Sequence, residues 1–210
     1  MPDFDRSVFL NCPFDDEFMP MLRAMAFAVV ALGFHPRIAP ENADNGSARL
    51  DRIHTIIGGS RLAIHDLSRS RIQPGQQFAR QNMPFELGLD HGCKIFGDER
   101  LRSKVILILE AQRGDAVLSL SDIAGLDIRT HHGDRLSAVS HVRSWLRGVA
   151  RAPDIGPTRI LNLFEDFNGW YWERAKRNGA SEADILAYPT EEMISAMLEW
   201  RDLGEPLTAN

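Results

Sequence analysis

The run KVILIL at residues 104–109 is apolar at every position after its lysine. Successive side chains of a strand point to opposite faces, so a run without polar alternation has to be covered on both. Strands of that kind sit at the centre of parallel sheets, whose strands are joined by crossovers long enough to hold helices. The segment therefore sets a condition on the rest of the chain: short apolar runs must alternate with amphipathic ones.

The first two thirds of the sequence meet that condition. Residues 8–12 read as a strand, and Phe18, Met21, Leu22, Met25, Val29 and Leu32 follow at helical spacing, with Pro20 in the first turn and Gly33 at the end. A short strand at 36–39 leads into a loop rich in Asn, Asp and Gly, after which Ser47 can cap a helix carrying Leu50, Ile53 and Ile57 on one face. Residues 62–66 form an apolar strand ending in an acid. The polar stretch 68–82 is far longer than the roughly 2–6 residues usual for a connection, which suggests a gate over a binding site. Pro84 suits the first position of a third helix, with Phe85, Leu89, Cys93 and Phe96 as its buried stripe. A fifth strand at 126–130 and a helix at 135–150 complete the unit. Two prolines and a glycine in 151–156 mark a boundary. The expected fold is α/β: a flavodoxin-like, doubly wound parallel five-stranded sheet over residues 1–150, with a C-terminal helical extension over residues 151–210.

Within the extension, Ile160, Leu163, Phe164, Phe167, Trp170 and Tyr171 make one helical stripe, and Thr190 caps a last helix with Ile194, Met197 and Leu198 inside. A few helices cannot enclose so much aromatic surface, and both faces of the sheet already have helices of their own. A homo-oligomer formed through the extension is the expected outcome; packing back onto the α/β unit is the other.

Composition narrows the partners. A net charge of −5 and a pI near 5.8 supply no basic field for a nucleic acid polymer, although local groups can still hold a mononucleotide. Cys12 and Cys93 are the only cysteines and lie outside any His/Cys cluster, which points away from zinc or disulfides and toward a reducing, cytoplasmic setting with no metal site. The opening MPDFDRSVFLNCPF lacks a basic segment followed by a long apolar run, and no later stretch approaches a membrane span, so neither secretion nor a membrane partner is expected.

Open parallel sheets bind ligands at the carboxyl ends of the strands where the strand order reverses, between strands one and three for the order 2-1-3-4-5. Asn11, Pro13 and Phe14 follow strand one, Asp66, Ser68 and Arg69 follow strand three, and Asn82, Glu86 and Asp90 open the next helix. Glu86 has two readings. With Pro84 at the first helical position it falls at the third, where a carboxylate meets the helix dipole. Alternatively, with Asp90 one turn on, it looks into a shared pocket. Asp66 can order its own loop or meet a ligand, and Asn11 can tie loops together or hold substrate. Phe14 can be core or stack on a flat ring, and the Arg69 guanidinium suits a phosphate.

The series VFLNCPFDDEF, AIHDLSRS and NMPFELGLDHG, spanning residues 7–110, resembles the superfamily shared by nucleoside 2-deoxyribosyltransferases and bacterial TIR-like domains. The resemblance implies that Glu86 attacks or stabilises the sugar carbon of a nucleoside or NAD. It further implies that Asp66 binds sugar or base and that residues 11–14 line the pocket. The chain departs from the transferase pattern in having QNMPFE before the glutamate, and it lacks the W-C-x-x-E form of many TIR domains. Breaking an N-glycosidic bond develops oxocarbenium character that a carboxylate can stabilise or trap as an ester. A neutral purine would need a proton from Asp66 or Asp90, whereas nicotinamide leaves a cationic ring without one. The expected activity is therefore hydrolysis or transfer at the N-glycosidic bond of NAD, as substrate and not as cofactor, or of a related nucleotide. One rival is a non-catalytic nucleotide-sensing or signalling domain. A phosphoacceptor receiver domain, suggested by Asp15, Asp16 and Asp66, is the other; it wants a hydroxyl after strand four and a lysine after strand five, where this chain has Glu110 and His131.

Overall fold

The computed structural model describes residues 3–39, 49–72, 75 and 77–206. Strands β1 (Ser7–Asn11), β2 (His35–Arg37), β3 (Leu62–Asp66), β4 (Val105–Glu110) and β5 (Ile128–Thr130) form one all-parallel sheet in the order β2-β1-β3-β4-β5. The helices are α1 (Met19–Ala31), α2 (Arg49–Gly58), α3 (Asn82–Phe96), α4 (Glu99–Arg102), α5 (Asp115–Ser119), α6 (Arg135–Ala150), α7 (Pro157–Arg177), α8 (Glu182–Ala187) and α9 (Thr190–Asp202). This is the flavodoxin-like, doubly wound arrangement, and β4 runs between β3 and β5 as its composition requires. Leu107 and Leu109 join the core beneath α1 and α6, while Ile108 joins a second core against Leu87 of α3, so both faces of β4 are covered. Gly33, at φ 85°, supplies the left-handed turn that stops α1 before β2. No described helix is long and apolar enough to cross a membrane.

The extension packs back onto the α/β unit. Phe27 of α1 sits among Phe164 at 5.2 Å, Phe167 at 5.7 Å and Trp200 at 5.8 Å between ring centroids. One continuous core runs from β1 through α1 to Phe167, Trp170, Met197 and Trp200. Trp200 also donates its indole N–H to the Pro206 carbonyl at 2.8 Å, closing the chain over the ring. The surplus aromatic surface that pointed to an oligomer through these helices is thus enclosed within a single chain. Two helix starts also differ from expectation. Thr190 is the first residue of α9 instead of its cap, and its hydroxyl meets the Met19 sulfur at 3.1 Å. Ser47, expected to cap α2, lies outside the described residues.

Helix α3 begins at Asn82, two residues before Pro84, so Glu86 is fifth in the helix instead of third and is not a first-turn dipole residue. Its buried face is Met83, Glu86, Leu87 and Asp90. The expected stripe is rotated outward: Leu89 and Cys93 are half-buried, while Phe85 is 56% and Phe96 84% exposed. The cause is polar: Asp90 on the inner face has partners on β3 and at the head of β4, and the Met83 carbonyl has one on β1.

Candidate functional site

The carboxyl ends of β1 and β3, adjacent strands joined to crossovers on different faces, meet the first turns of α3 at the switch point of the sheet. Several of the sequence-derived candidates arrive there, but most arrive already engaged.

Asn11, at the end of β1, donates its side-chain amide to the Met83 carbonyl at 2.9 Å and contacts Nδ1 of His65 at 2.8 Å. Because the Met83 carbonyl can only accept, the group facing it is the Asn11 NH₂, and His65 Nδ1 must be an acceptor. The proton of His65 then sits on Nε2, which donates to Asp90 Oδ2 at 3.0 Å. The other Asp90 oxygen lies 3.0 Å from Lys104 Nζ, and that ammonium also donates to the carbonyls of Ile57 and Ser60. Asn11, His65, Asp90 and Lys104 are all at most 2% exposed. Buried charges persist when paired, and here Asp90 is hydrogen-bonded by His65 through Oδ2 and ion-paired with Lys104 through Oδ1, which has no hydrogen bond of its own. The network pins α3 to the sheet at Met83 and Asp90, one turn before and one turn after Glu86. Asn11 through its NH₂ and Asp90 through both oxygens therefore serve this network.

Asp66 is likewise committed. Its Oδ1 accepts from the Ser68 amide at 3.0 Å, and its Oδ2 lies 3.1 Å from His131 Nε2. His131 Nδ1 accepts from the Gly133 amide at 3.0 Å, which places the ring proton on Nε2. That one N–H is shared between Asp66 and the Ser68 hydroxyl, 3.0 Å away. A nucleophilic serine would need an unprotonated histidine nitrogen facing it, so this Ser–His–Asp cluster is a loop lock.

Arg69 forms a two-pronged pair with Asp15, Nε to Oδ2 at 3.0 Å and Nη2 to Oδ1 at 2.7 Å, and reaches Glu17 at 2.9 Å. Arg69, by its hydrogen bonds and its charge, holds the Asp15 carboxyl below the usual range, and the fork expected to meet a phosphate is already occupied by carboxylates. Arg71 makes a matching pair with Asp115 at 2.7 Å, and Ser70 is buried with its hydroxyl on the Leu67 carbonyl. The start of the 68–82 segment, expected as a gate, is thus stapled to the β1 loop on one side and to α5 on the other. Pro13 is buried and Phe14 half-buried against the main core, while Asn82 is exposed at the first turn of α3.

Glu86 stands apart. It is 4% exposed, and its Oε1 meets Arg49 Nη2 at 3.5 Å, the one contact it makes among the described residues, to a side chain that is itself half-exposed. Burial pushes its carboxyl above the ordinary glutamate range, against the pull of Arg49. Cys12 is buried close by; burial and the Asp66 charge push its thiol up, leaving it protonated and unreactive. Among the described residues, no group of three or more His, Cys, Asp or Glu side chains is arranged to hold a metal ion. Sequence reasoning missed Arg49, whose approach to Glu86 depends on how α2 packs, and the pairing of Lys104 with Asp90. A lysine at the head of a fully apolar strand was the available signal for the second, since it has to be buried with a partner or break the strand pattern.

The arrangement defines an α/β protein with a doubly wound sheet and a buried carboxylate at its switch-point crevice. No family model matches the chain, and neither curated proteins nor solved structures give a significant match.

Proposed function

We propose that the protein binds a nucleotide in the β1–β3 crevice and cleaves the N-glycosidic bond of NAD or a related nucleotide, with Glu86 as the carboxylate beneath the reacting sugar carbon. One observation carries this reading: of the three acids at the crevice, Asp66 has both oxygens hydrogen-bonded and Asp90 has one hydrogen-bonded and the other ion-paired, whereas Glu86 is buried with, among the described residues, one long contact to Arg49. A desolvated carboxylate held on a pinned helix is suited to stabilising an oxocarbenium charge, since it needs no reorganisation as the charge develops. As the carbon–nitrogen bond breaks, its electron pair neutralises the departing pyridinium ring, and the sugar carbon is met by the Glu86 oxygen or by water. With Asp66 and Asp90 committed as acceptors, a neutral base would lack a proton donor from these acids, which favours nicotinamide as leaving group. Hydrolysis and transfer to another acceptor share every step up to that point. Mass spectrometry of products after incubation with NAD, NADP and a panel of nucleosides tests the substrate class. Nicotinamide release is the expected outcome; release of a purine from neutral nucleosides alone would overturn the preference for a pyridinium leaving group.

The second reading is a nucleotide-sensing domain without turnover, and the raised Glu86 pKa favours it. Burial works against the charged form that stabilising a cation would need. Calorimetric binding of NAD with no product formed at any pH up to mild alkalinity would select this reading.

A further inference from the structure

Helices α2 and α3 are consecutive crossovers of a parallel sheet and run in the same direction, with Ile53, Ile56 and Ile57 of the first sharing a core with Leu89 and Cys93 of the second. Arg49 lies one turn before Ile53, and Glu86 lies one turn before Leu89 and Asp90. The packing that joins the helices therefore also sets the guanidinium over the carboxylate, at the carboxyl edge of the sheet. Arg49 Nη2 is 3.5 Å from Glu86 Oε1, and this is the one contact the Arg49 side chain makes among the described residues. A guanidinium is a planar fork of N–H donors, so a contact through one nitrogen leaves most of it open. The open part is accessible: the Arg49 side chain is 52% exposed, against 5% for Glu86. The other cations around the crevice face carboxylates elsewhere. Arg69 holds Asp15 and Glu17, Lys104 is enclosed with Asp90, and Arg80 lies 4.0 Å from Asp15.

We propose that Arg49 is the phosphate anchor of the site: one end of its guanidinium stays on Glu86 while the open end takes a phosphate oxygen of the substrate, so that nucleotides are selected over nucleosides. The inference rests on the reading of Glu86 as the carboxylate beneath the sugar carbon. In a nucleotide, the anomeric carbon and the carbon carrying the phosphate arm flank the same ring oxygen of one ribose. A cation beside the carboxylate under the first is thus within reach of the phosphate attached through the second. Arginine suits the bridging place, because its fork matches phosphate geometry and stays charged at every working pH. The same placement ties binding to chemistry. The Arg49 charge opposes the burial that pushes the Glu86 carboxyl up, and so favours the ionised form that cleavage requires. Toward the reacting bond, Arg49 is a positioning residue acting through Glu86.

Two measurements separate these roles. Calorimetry with inorganic pyrophosphate on the intact chain reads the anchor without turnover: wild type should bind, Arg49→Gln should bind about 10-fold or more weakly, and Arg49→Lys should recover part of the loss. Both variants should melt close to wild type, because an ion pair with a half-exposed side chain contributes little to stability. Nicotinamide release from NAD and from nicotinamide riboside, which has no phosphate, reads the site at work. Arg49→Gln should raise KM about 10-fold or more for NAD and leave that for the riboside near wild type, a split that a general structural loss would not produce. For both substrates the acid limb of the kcat/KM profile should move to higher pH, because Glu86 loses the charge that favours its ionised form. Pyrophosphate bound through Arg49 by a protein that cleaves neither substrate would sustain the anchor and overturn the glycosidic reading. Pyrophosphate binding absent from wild type or unchanged in Arg49→Gln, or an equal rise in KM for NAD and the riboside, would overturn the anchor and leave the Glu86 chemistry standing.

Discussion

Glu86 is the residue on which the functional reading turns, and its environment makes opposite demands on stability and on chemistry. Its folded pKa is raised by burial. For an acid shifted in that direction, the stabilising contribution is present below the unfolded pKa and is lost as pH rises through the folded value. The ionised side chain is thus a small burden at neutral pH. Glu86→Gln should melt at or slightly above the wild-type temperature at pH 7, with any gain vanishing below the ordinary glutamate pKa. A thermal scan at the two pH values checks this; a large loss at neutral pH would mean that Glu86 is chiefly a structural anchor. Catalysis requires the ionised form, so kcat/KM should fall on acidification with an apparent pKa above the normal glutamate range, readable from a pH profile.

Helix α3 shows what the sequence disclosed and what it withheld. The central strands β1, β3 and β4 were legible because parallel strands buried on both faces are short apolar runs, and the edge strands β2 and β5, polar and partly exposed, were legible by their place between amphipathic segments. The existence of α3 was legible too, but the identity of its inner face was not. Phe85, Leu89, Cys93 and Phe96 carry the local apolar signal, whereas the groups that turn Asp90, and the face it shares with Glu86, inward are His65 on β3 and Lys104 before β4, distant in sequence. Breaking the network should be costly. Lys104→Met leaves Asp90 in the core without its cation, and removing one partner of a buried pair typically costs about 3–5 kcal/mol. Urea unfolding should show that loss, and an unchanged midpoint would refute the pinning role given to Asp90.

Across the whole molecule, the extension is part of the core instead of an appendage. The sequence contained a sign of this: α1 is buried nearly all round, from Met21 to Val30, and a helix apolar on every side needs cover on every side. One side of α1 faces the sheet; α6, α7 and α9 supply the rest. Phe27→Ala should therefore destabilise the entire fold by about 3–5 kcal/mol, in one cooperative transition seen equally by tryptophan fluorescence and by far-UV circular dichroism. Two separate transitions would mean that the extension unfolds independently. The same packing makes removal of the chain beyond Ala152 a deletion of core, expected to leave aggregating material instead of a working α/β unit.

The central claim joins these scales: a helix pinned by a buried network holds one uncommitted carboxylate at the switch point of the sheet, and that carboxylate breaks a glycosidic bond. The most direct test is nicotinamide release from NAD, followed by mass spectrometry, by wild type and by Glu86→Gln of equal thermal stability. The account expects release by the wild type and a loss of about 1,000-fold or more in the variant, on the scale of removing a principal electrostatic stabiliser of a transition state. Release at a similar rate by both proteins would contradict it.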